Sequence, residues 1–98
     1  MLINEKENIM EIKNEYRVSD FYLAAFLKAS GFKLINSDLV GRRVIFIFED
    51  RDDREQLTKD FYNDALVQVS PFIHAIQDLK SIIYNLAKKE KKEETPLS

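Results

Sequence analysis

The sequence predicts a small α+β domain in which a helix, a β-hairpin and two further helices follow one another around a small antiparallel sheet. Three observations predict it: a helix with end signals at Ser19 and Gly31, apolar alternation beside Gly41, and a long apolar stripe at helical spacing after Pro71. A chain of 98 residues is long enough for one domain with one core and too short for two.

We place the single α+β domain at residues 16–88. Residues 1–15 alternate charged residues with isolated apolar ones and carry no strong helix cap, so we expect a flexible arm or one that folds on a partner. Residues 89–98 are charged and contain a proline but no apolar pattern, so we expect a disordered tail.

The first predicted helix has the sequence SDFYLAAFLKASG. Ser19 is the expected N-cap, because its hydroxyl can accept a hydrogen bond from a first-turn amide, and Asp20 suits the positive end of the helix dipole. Gly31 is the expected left-handed residue that closes the helix. Apolar side chains cover most of its circumference, as is typical of a helix covered on more than one side. We therefore expect this helix at the centre of the domain or at an interface.

A β-hairpin follows, with strands at residues 32–36 and 42–50 and a loop at residues 36–41 that turns at Gly41. Alternation places on one face of the second strand Val44, Phe46 and Phe48. The two isoleucines between them point to the opposite face, so this strand is expected to be covered on both sides.

The second half of the chain predicts two more helices. Residues 53–65 form an amphipathic pattern, and residues 65–69, ALVQV, are short and apolar enough for a third strand. Ser70 before Pro71 is typical of a helix start, with a capping serine and a proline at the first helical position. The stripe of the last helix consists of Phe72, Ile76, Leu79, Ile83 and Leu86.

Seven consecutive charged residues, from Glu49 to Glu55, follow the apolar run VIFIF. Carboxylates in such a cluster could bind Mg²⁺ or Ca²⁺, but their spacing does not match a calcium-binding EF-hand loop. We favour a structural interpretation in which Asp50 or Asp52 caps the next helix and the remaining acids stabilise its positive N-terminus. We predict no metal site and no cofactor.

Catalysis has little support in the sequence. The chain has no cysteine, which excludes a thiolate nucleophile and Cys-ligated zinc, and two glycines cannot form a Walker A or dinucleotide-binding motif. The single histidine, His74, has Asp78 one turn later, but no nucleophile elbow accompanies the pair. We predict that the protein is not an enzyme and has no catalytic residue; an enzyme of unknown type ranks third among the functions considered.

The hydrophobic residues predict a binding function. The first helix and the widened stripe of the last helix carry much apolar surface for a small domain, and surplus apolar surface marks partner or self-association sites. We predict a non-catalytic module that binds another protein or forms a homodimer. The predicted interface residues are Tyr22, Phe26, Ile73, Ile82 and Tyr84.

The alternative is an accessory nucleic-acid-binding protein with a basic hairpin. Lys33, Arg42 and Arg43 are placed to contact phosphates, which arginine binds bidentately. The net charge of −2 and the pI near 5.4 count against this function, because phosphate neutralisation supplies much of the affinity for nucleic acid.

No apolar run approaches the roughly 20 residues that span a bilayer. The first residues also lack the basic-then-apolar order of a secretory signal. We therefore expect a cytoplasmic protein without membrane contact.

Two runs, YRVSDFYLAAFLKASGFKL at residues 16–34 and GRRVIFIFED at residues 41–50, resemble a family of short uncharacterised proteins described as a domain of unknown function. The similarity continues through residues 61–63 and the closing helix. The resemblance implies a compact stand-alone domain. The family has no established catalytic or binding residues, so it implies none in this chain.

Overall fold

The computed structural model of the chain describes residues 14–94. In chain order, its elements are β1 (Glu15–Val18), α1 (Phe21–Ala29), β2 (Leu34–Val40), β3 (Arg43–Glu49), α2 (Arg54–Tyr62) and α3 (Val69–Glu94). The strands form one antiparallel sheet in the order β1–β3–β2. The predicted α+β class is confirmed, with the hairpin and the three helices in the predicted order.

β1 is not among the predicted elements. It pairs with β3, with Tyr16 opposite Phe48 and Val18 opposite Phe46, so its two apolar residues join the core face of the sheet. Local periodicity gave no signal because only two of its four residues are apolar and their partners are distant in sequence. β1 begins at Glu15, one residue before the predicted domain boundary, and residues 1–13 of the predicted arm lie outside the described residues.

The third strand predicted at residues 65–69 is wrong. Residues 65–68 form a loop and Val69 already belongs to α3. β3 has β1 on one side and β2 on the other, so β1 fills the position beside the hairpin that a third strand would take.

The hairpin loop predicted at residues 36–41 is also wrong, because β2 continues to Val40. The register runs to Val40 opposite Arg43, which leaves Gly41 and Arg42 as a two-residue turn. Gly41 has a φ of +64°, as tight hairpin turns of this length require. The polar residues that suggested a loop tolerate the strand conformation because β2 is an edge strand with a bulge near Ile35.

α1 lies at the centre of the domain, as predicted. Five consecutive residues, Leu23 to Leu27, are buried, and the helix contacts α2, α3 and β1. The N-cap is Asp20 and not the predicted Ser19: the Asp20 Oδ1 accepts hydrogen bonds from the amides of Tyr22 (3.1 Å) and Leu23 (3.2 Å). Its carboxylate satisfies two otherwise unpaired donors.

The predicted glycine at the end of α1 is confirmed. Gly31 has a φ of +98°, the Phe32 amide donates to the Leu27 carbonyl (3.0 Å), and the Gly31 amide donates to the Lys28 carbonyl (3.0 Å). These two bonds form a Schellman motif, which satisfies carbonyls that the helix leaves free.

α3 begins one residue before the predicted capping serine and continues to Glu94, past the boundary predicted at residue 88. Its first half lies against the core through a stripe that is wider than predicted. The residues of α3 that contact or belong to the core are Phe72, Ala75, Ile76, Leu79, Ile82 and Ile83.

We expect Gly31→Ala to lower the free energy of unfolding by about 1–2 kcal/mol, because alanine rarely adopts a positive φ. The matched control is Arg42→Ala in the hairpin turn, which we expect to cost under about 0.5 kcal/mol, because Arg42 is exposed and does not have a positive φ. An added Cβ at Gly31 would also lie 3.5 Å from the Arg51 side chain. Urea denaturation measures both, and equal costs would contradict a special requirement for glycine at position 31.

Candidate functional site

An open cleft with a volume of about 320 Å³ lies where the C-terminal end of α1 meets α2 and the loop that leads to α3. Seven of its ten lining residues are apolar, its surface is a mixture of polar and apolar atoms, and the titratable residue among the lining side chains is Asp60. The residues that line the cleft are Phe26, Ala29, Ser30, Leu57, Asp60, Ala65, Leu66, Val67, Gln68 and Pro71.

The loop after α2 is held at its start by a second helix-ending motif. The Ala65 amide donates to the Asp60 carbonyl (2.9 Å), and Asp64 occupies the position that glycine usually fills, with a φ of +65°. The Asn63 side chain donates to the Lys59 carbonyl (2.7 Å). Ala65 therefore turns inward against the core, while Leu66 points out into solvent.

Four large apolar side chains within eight residues are exposed, and two of them, Leu66 and Val67, line the cleft. Their exposed fractions are 97% for Leu66, 38% for Val67, 69% for Val69 and 44% for Ile73. Val69 and Ile73 are one helical turn apart and share a face of α3. Single exposed apolar residues are ordinary, whereas a contiguous group of them marks a binding surface. We call these four residues the 66–73 patch.

The predicted interface residues do not form one surface. Tyr22, Ile73 and Tyr84 are exposed, but Tyr84 lies 11 residues after Ile73, roughly 16 Å farther along α3. Phe26 is 4% exposed and packs in the core, with its ring 5.4 Å from that of Phe61, so it contributes only to the cleft wall. Ile82 is half-buried against the core.

Sequence reasoning missed most of the 66–73 patch. Leu66, Val67 and Val69 fell in the segment assigned to a strand, where apolar residues are expected to be covered. The available signal was the position of this apolar segment between two helices, with no glycine and no partner strand adjacent in sequence.

The acidic cluster is structural, but not through the predicted caps. Asp53 occupies the N-cap position of α2 without a side-chain hydrogen bond to the helix, so capping by Asp50 or Asp52 is wrong. Two of the carboxylates instead bind arginines. Within residues 14–94, no group of three or more acidic or histidine side chains is arranged to hold a metal ion.

Arg51 connects this cluster to the end of α1. Its guanidinium donates to both carboxylate oxygens of Asp53 (3.0 and 2.6 Å) and to the Ser30 carbonyl (3.2 Å), and it lies 4.2 Å from the centroid of the Phe32 ring. The hydrogen bonds from Arg51 hold the pKa of Asp53 below its usual value. A cation at this carbonyl suits the negative end of the α1 dipole. Arg51 therefore fixes the wall of the cleft to which Ser30 belongs.

Arg54 connects the cluster to β1. Its guanidinium donates to both oxygens of Asp50 (3.1 and 3.3 Å) and lies 4.1 Å from the centroid of the Tyr16 ring. The hydrogen bonds from Arg54 lower the pKa of the Asp50 carboxyl from its ordinary value of 3.8, against a smaller opposing effect of burial. The same pairing raises the pKa of Arg54.

The predicted basic residues lie at opposite ends of the sheet. The Lys33 carbonyl accepts a hydrogen bond from the Glu49 amide at the C-terminal end of β3, whereas Arg42 and Arg43 lie at the hairpin turn at its other end. Seven residues of strand separate the two positions by roughly 20 Å. Arg42 and Arg43 are adjacent and exposed, and Lys33 does not join them.

Asp78, which follows His74 by one helical turn, pairs with a lysine of α1. His74 is exposed on α3, and the Asp78 carboxylate lies 3.5 Å from the Lys28 ammonium group on α1. This ion pair joins the two helices across their contact.

A family model described as "Domain of unknown function (DUF5659)" matches residues 13–85. The chain belongs to this family. The match covers the three strands, α1, α2, the 66–73 patch and α3 as far as residue 85, so the DUF5659 domain includes the whole cleft. No curated protein and no solved structure matches the chain. Of the helices between residues 14 and 94, none has the length and apolar character needed to cross a membrane.

We expect Asp50→Asn to lower the free energy of unfolding by about 1 kcal/mol at pH 7, because the partly buried pair with Arg54 loses its charge. The folded-state pKa of Asp50 is below 3.8, so its contribution is present above that pH and is lost as the pH falls below it through the folded-state pKa. The difference between wild type and variant should therefore shrink as the pH falls below 3.8.

Urea denaturation at several pH values measures this difference. Asp52→Asn is the matched control, since the Asp52 side chain is exposed and pairs with no cation among the described residues. We expect little effect of that control at any pH. A constant deficit of Asp50→Asn from pH 7 to pH 2 would contradict the charge explanation.

Proposed function

We propose that this DUF5659 domain is a protein-binding module without catalytic activity of its own, and that the 66–73 patch and the adjacent cleft form its binding surface. The single observation that supports this proposal most strongly is the 97% exposure of Leu66 beside an open apolar cleft. Burying a leucine side chain of this exposure on association is favourable by about 1.5–3 kcal/mol.

The chemistry of the cleft favours a protein segment over a small charged ligand. Binding sites for small molecules are concave pockets that enclose most of the ligand, whereas this cleft is open to solvent. Its polar lining residues are Ser30, Asp60 and Gln68, and the Asp60 carboxylate already accepts a hydrogen bond from Gln56 (2.9 Å). An aliphatic side chain matches the apolar lining residues, and the residues that flank it would cover Leu66 and Val67.

The shape of the surface indicates how such a segment would bind. Leu66 and Val67 line the cleft and are exposed on the loop that leads to α3. An amphipathic segment that inserts one aliphatic residue into the cleft and covers these two side chains uses the helix-in-groove mode of recognition. Tyr22 and Tyr84, which are exposed elsewhere, would remain outside this contact.

We expect peptides selected by display against the immobilised protein to bind Leu66→Asp at least tenfold more weakly than wild type, because a buried aspartate replaces the apolar contact. Tyr84→Asp is the matched control, since Tyr84 is 65% exposed on the same helix but lies outside the patch. Fluorescence anisotropy measures the dissociation constants.

Neither substitution should change stability by more than about 0.5 kcal/mol, because both side chains are exposed. Two results would overturn the proposal. One is a selection that enriches no peptide, and the other is a set of peptides that bind wild type and Leu66→Asp equally well. A sedimentation series compares wild type and Leu66→Asp over a range of concentrations. If the mass of the wild-type species rises with concentration and that of Leu66→Asp does not, the partner is a second copy of the chain.

Nucleic-acid binding through the basic hairpin has weaker support, because its three residues occupy two ends of the sheet. Arg42 and Arg43 alone would neutralise few phosphates, and affinity for nucleic acid follows the number of neutralised phosphates. We therefore expect no saturable binding of a 20-base-pair duplex at 50 mM salt, by fluorescence anisotropy. Saturable, salt-sensitive binding that Arg42→Glu with Arg43→Glu abolishes would instead support the hairpin as the functional site.

A further inference from the structure

We propose that the segment bound by the cleft is the protein's own N-terminal segment, residues 1–13, which then competes with external partners for the same surface. This inference rests on the proposed function and names the first occupant of its binding surface. It depends on where the segment joins the domain, how far it reaches, and which side chains it carries.

The N-terminal segment joins the domain close to the cleft. The Asn14 carbonyl accepts a hydrogen bond from the Asp50 amide (3.0 Å), and Asn14 shares a surface depression with Asp50, Arg51 and Asp52. The Arg51 guanidinium donates to the carbonyl of Ser30, a residue that lines the cleft. The Asp50 amide and the adjacent Arg51 side chain thus connect the start of β1 to the cleft wall.

The segment is long enough to reach the cleft in any conformation. Thirteen residues span roughly 20 Å as a helix and roughly 43 Å when extended. Closing so short a loop costs little entropy, and a tethered ligand of this kind acts at an effective concentration of about 1 mM. Weak contacts that would fail between separate molecules therefore suffice within one chain.

The composition of the segment suits the cleft. It has six large apolar residues in three groups, Met1 to Ile3, Ile9 with Met10, and Ile12, which charged or polar residues separate. Ile9 and Ile12 are three residues apart, so a helical segment would present both on one face. Such a face suits the apolar residues that line the cleft, among them Leu66 and Val67.

Occupation of the cleft by the N-terminal segment would weaken the binding of every external peptide. If the intrinsic dissociation constant of the segment is about 0.1 mM, an effective concentration of about 1 mM fills the cleft roughly nine times in ten and weakens an external peptide about tenfold. Ile9→Asp with Ile12→Asp in the full chain should release the cleft. Peptides selected by display should then bind this variant about tenfold more tightly than wild type.

A spin label tests the position of the segment directly. The chain has no cysteine, so Asn8→Cys gives one attachment site for a nitroxide. In the ¹⁵N-labelled full chain, we expect paramagnetic broadening of the amides of residues 65–68. The amides of Arg42 and Arg43 serve as the internal control, because the hairpin turn lies roughly 20 Å along the sheet from the end of β3 nearest the cleft.

Matched variants make the broadening specific. Leu66→Asp, or Ile9→Asp with Ile12→Asp, should remove it, whereas Glu5→Gln with Glu7→Gln should leave it unchanged, because those substitutions keep the aliphatic side chains. Broadening can arise within one chain or between two copies, and a mixture of two proteins distinguishes these origins. One protein carries ¹⁵N but no nitroxide, and the other carries the nitroxide but no ¹⁵N. No broadening in the mixture supports binding within one chain, and broadening in it overturns the proposal in favour of exchange between copies.

The two proposals fail in distinguishable ways. Absent broadening at residues 65–68, together with display peptides that bind wild type and the Ile9→Asp/Ile12→Asp variant equally, overturns the N-terminal segment as occupant and leaves the binding module intact. If no peptide binds either protein and no broadening occurs, the binding surface itself is wrong.

Discussion

The burial of α1 is the constraint on which the rest of this structure depends. A nine-residue helix with five consecutive buried residues has no face left for solvent along its middle, so other elements must cover it on every side. The sheet, α2 and α3 do so, and the aromatic contact between Phe26 and Phe61 joins α1 to α2. Ala24 and Ala25 are fully buried, which allows neighbouring backbones to approach closely.

The cleft is a consequence of this arrangement. α1 ends at Ala29, and the 26-residue helix α3 begins beside that end. The loop between α2 and α3 lies there, and it leaves the end of α1 incompletely covered. Arg51 holds the exposed end of α1 by its bond to the Ser30 carbonyl, and the positive φ of Asp64 directs the loop across the gap. Two helix ends and one loop thus produce the recess.

The sequence correctly predicted the features that depend on interactions between residues close together in the chain. The glycine that closes α1, the core face of β3 and the order of the helices follow from motifs that span a few residues, and all are present. β1 and the extension of β2 depend on pairing with β3, and no short-range pattern reports such pairing. The choice of Asp20 over Ser19 as N-cap shifts the start of α1 by one residue, which is within the usual uncertainty of helix ends.

The candidate site lay beyond sequence reasoning for a related reason. Apolar residues are assigned to a core unless something shows that the fold leaves them uncovered, and Leu66 is uncovered only because α2 and α3 meet at a loop there. Conversely, Phe26 has the same character in the sequence but is enclosed by α2. Burial is a property of the assembled domain, so two equally apolar residues on neighbouring elements can have opposite environments: Phe26 packs in the core, and Leu66 is exposed to solvent.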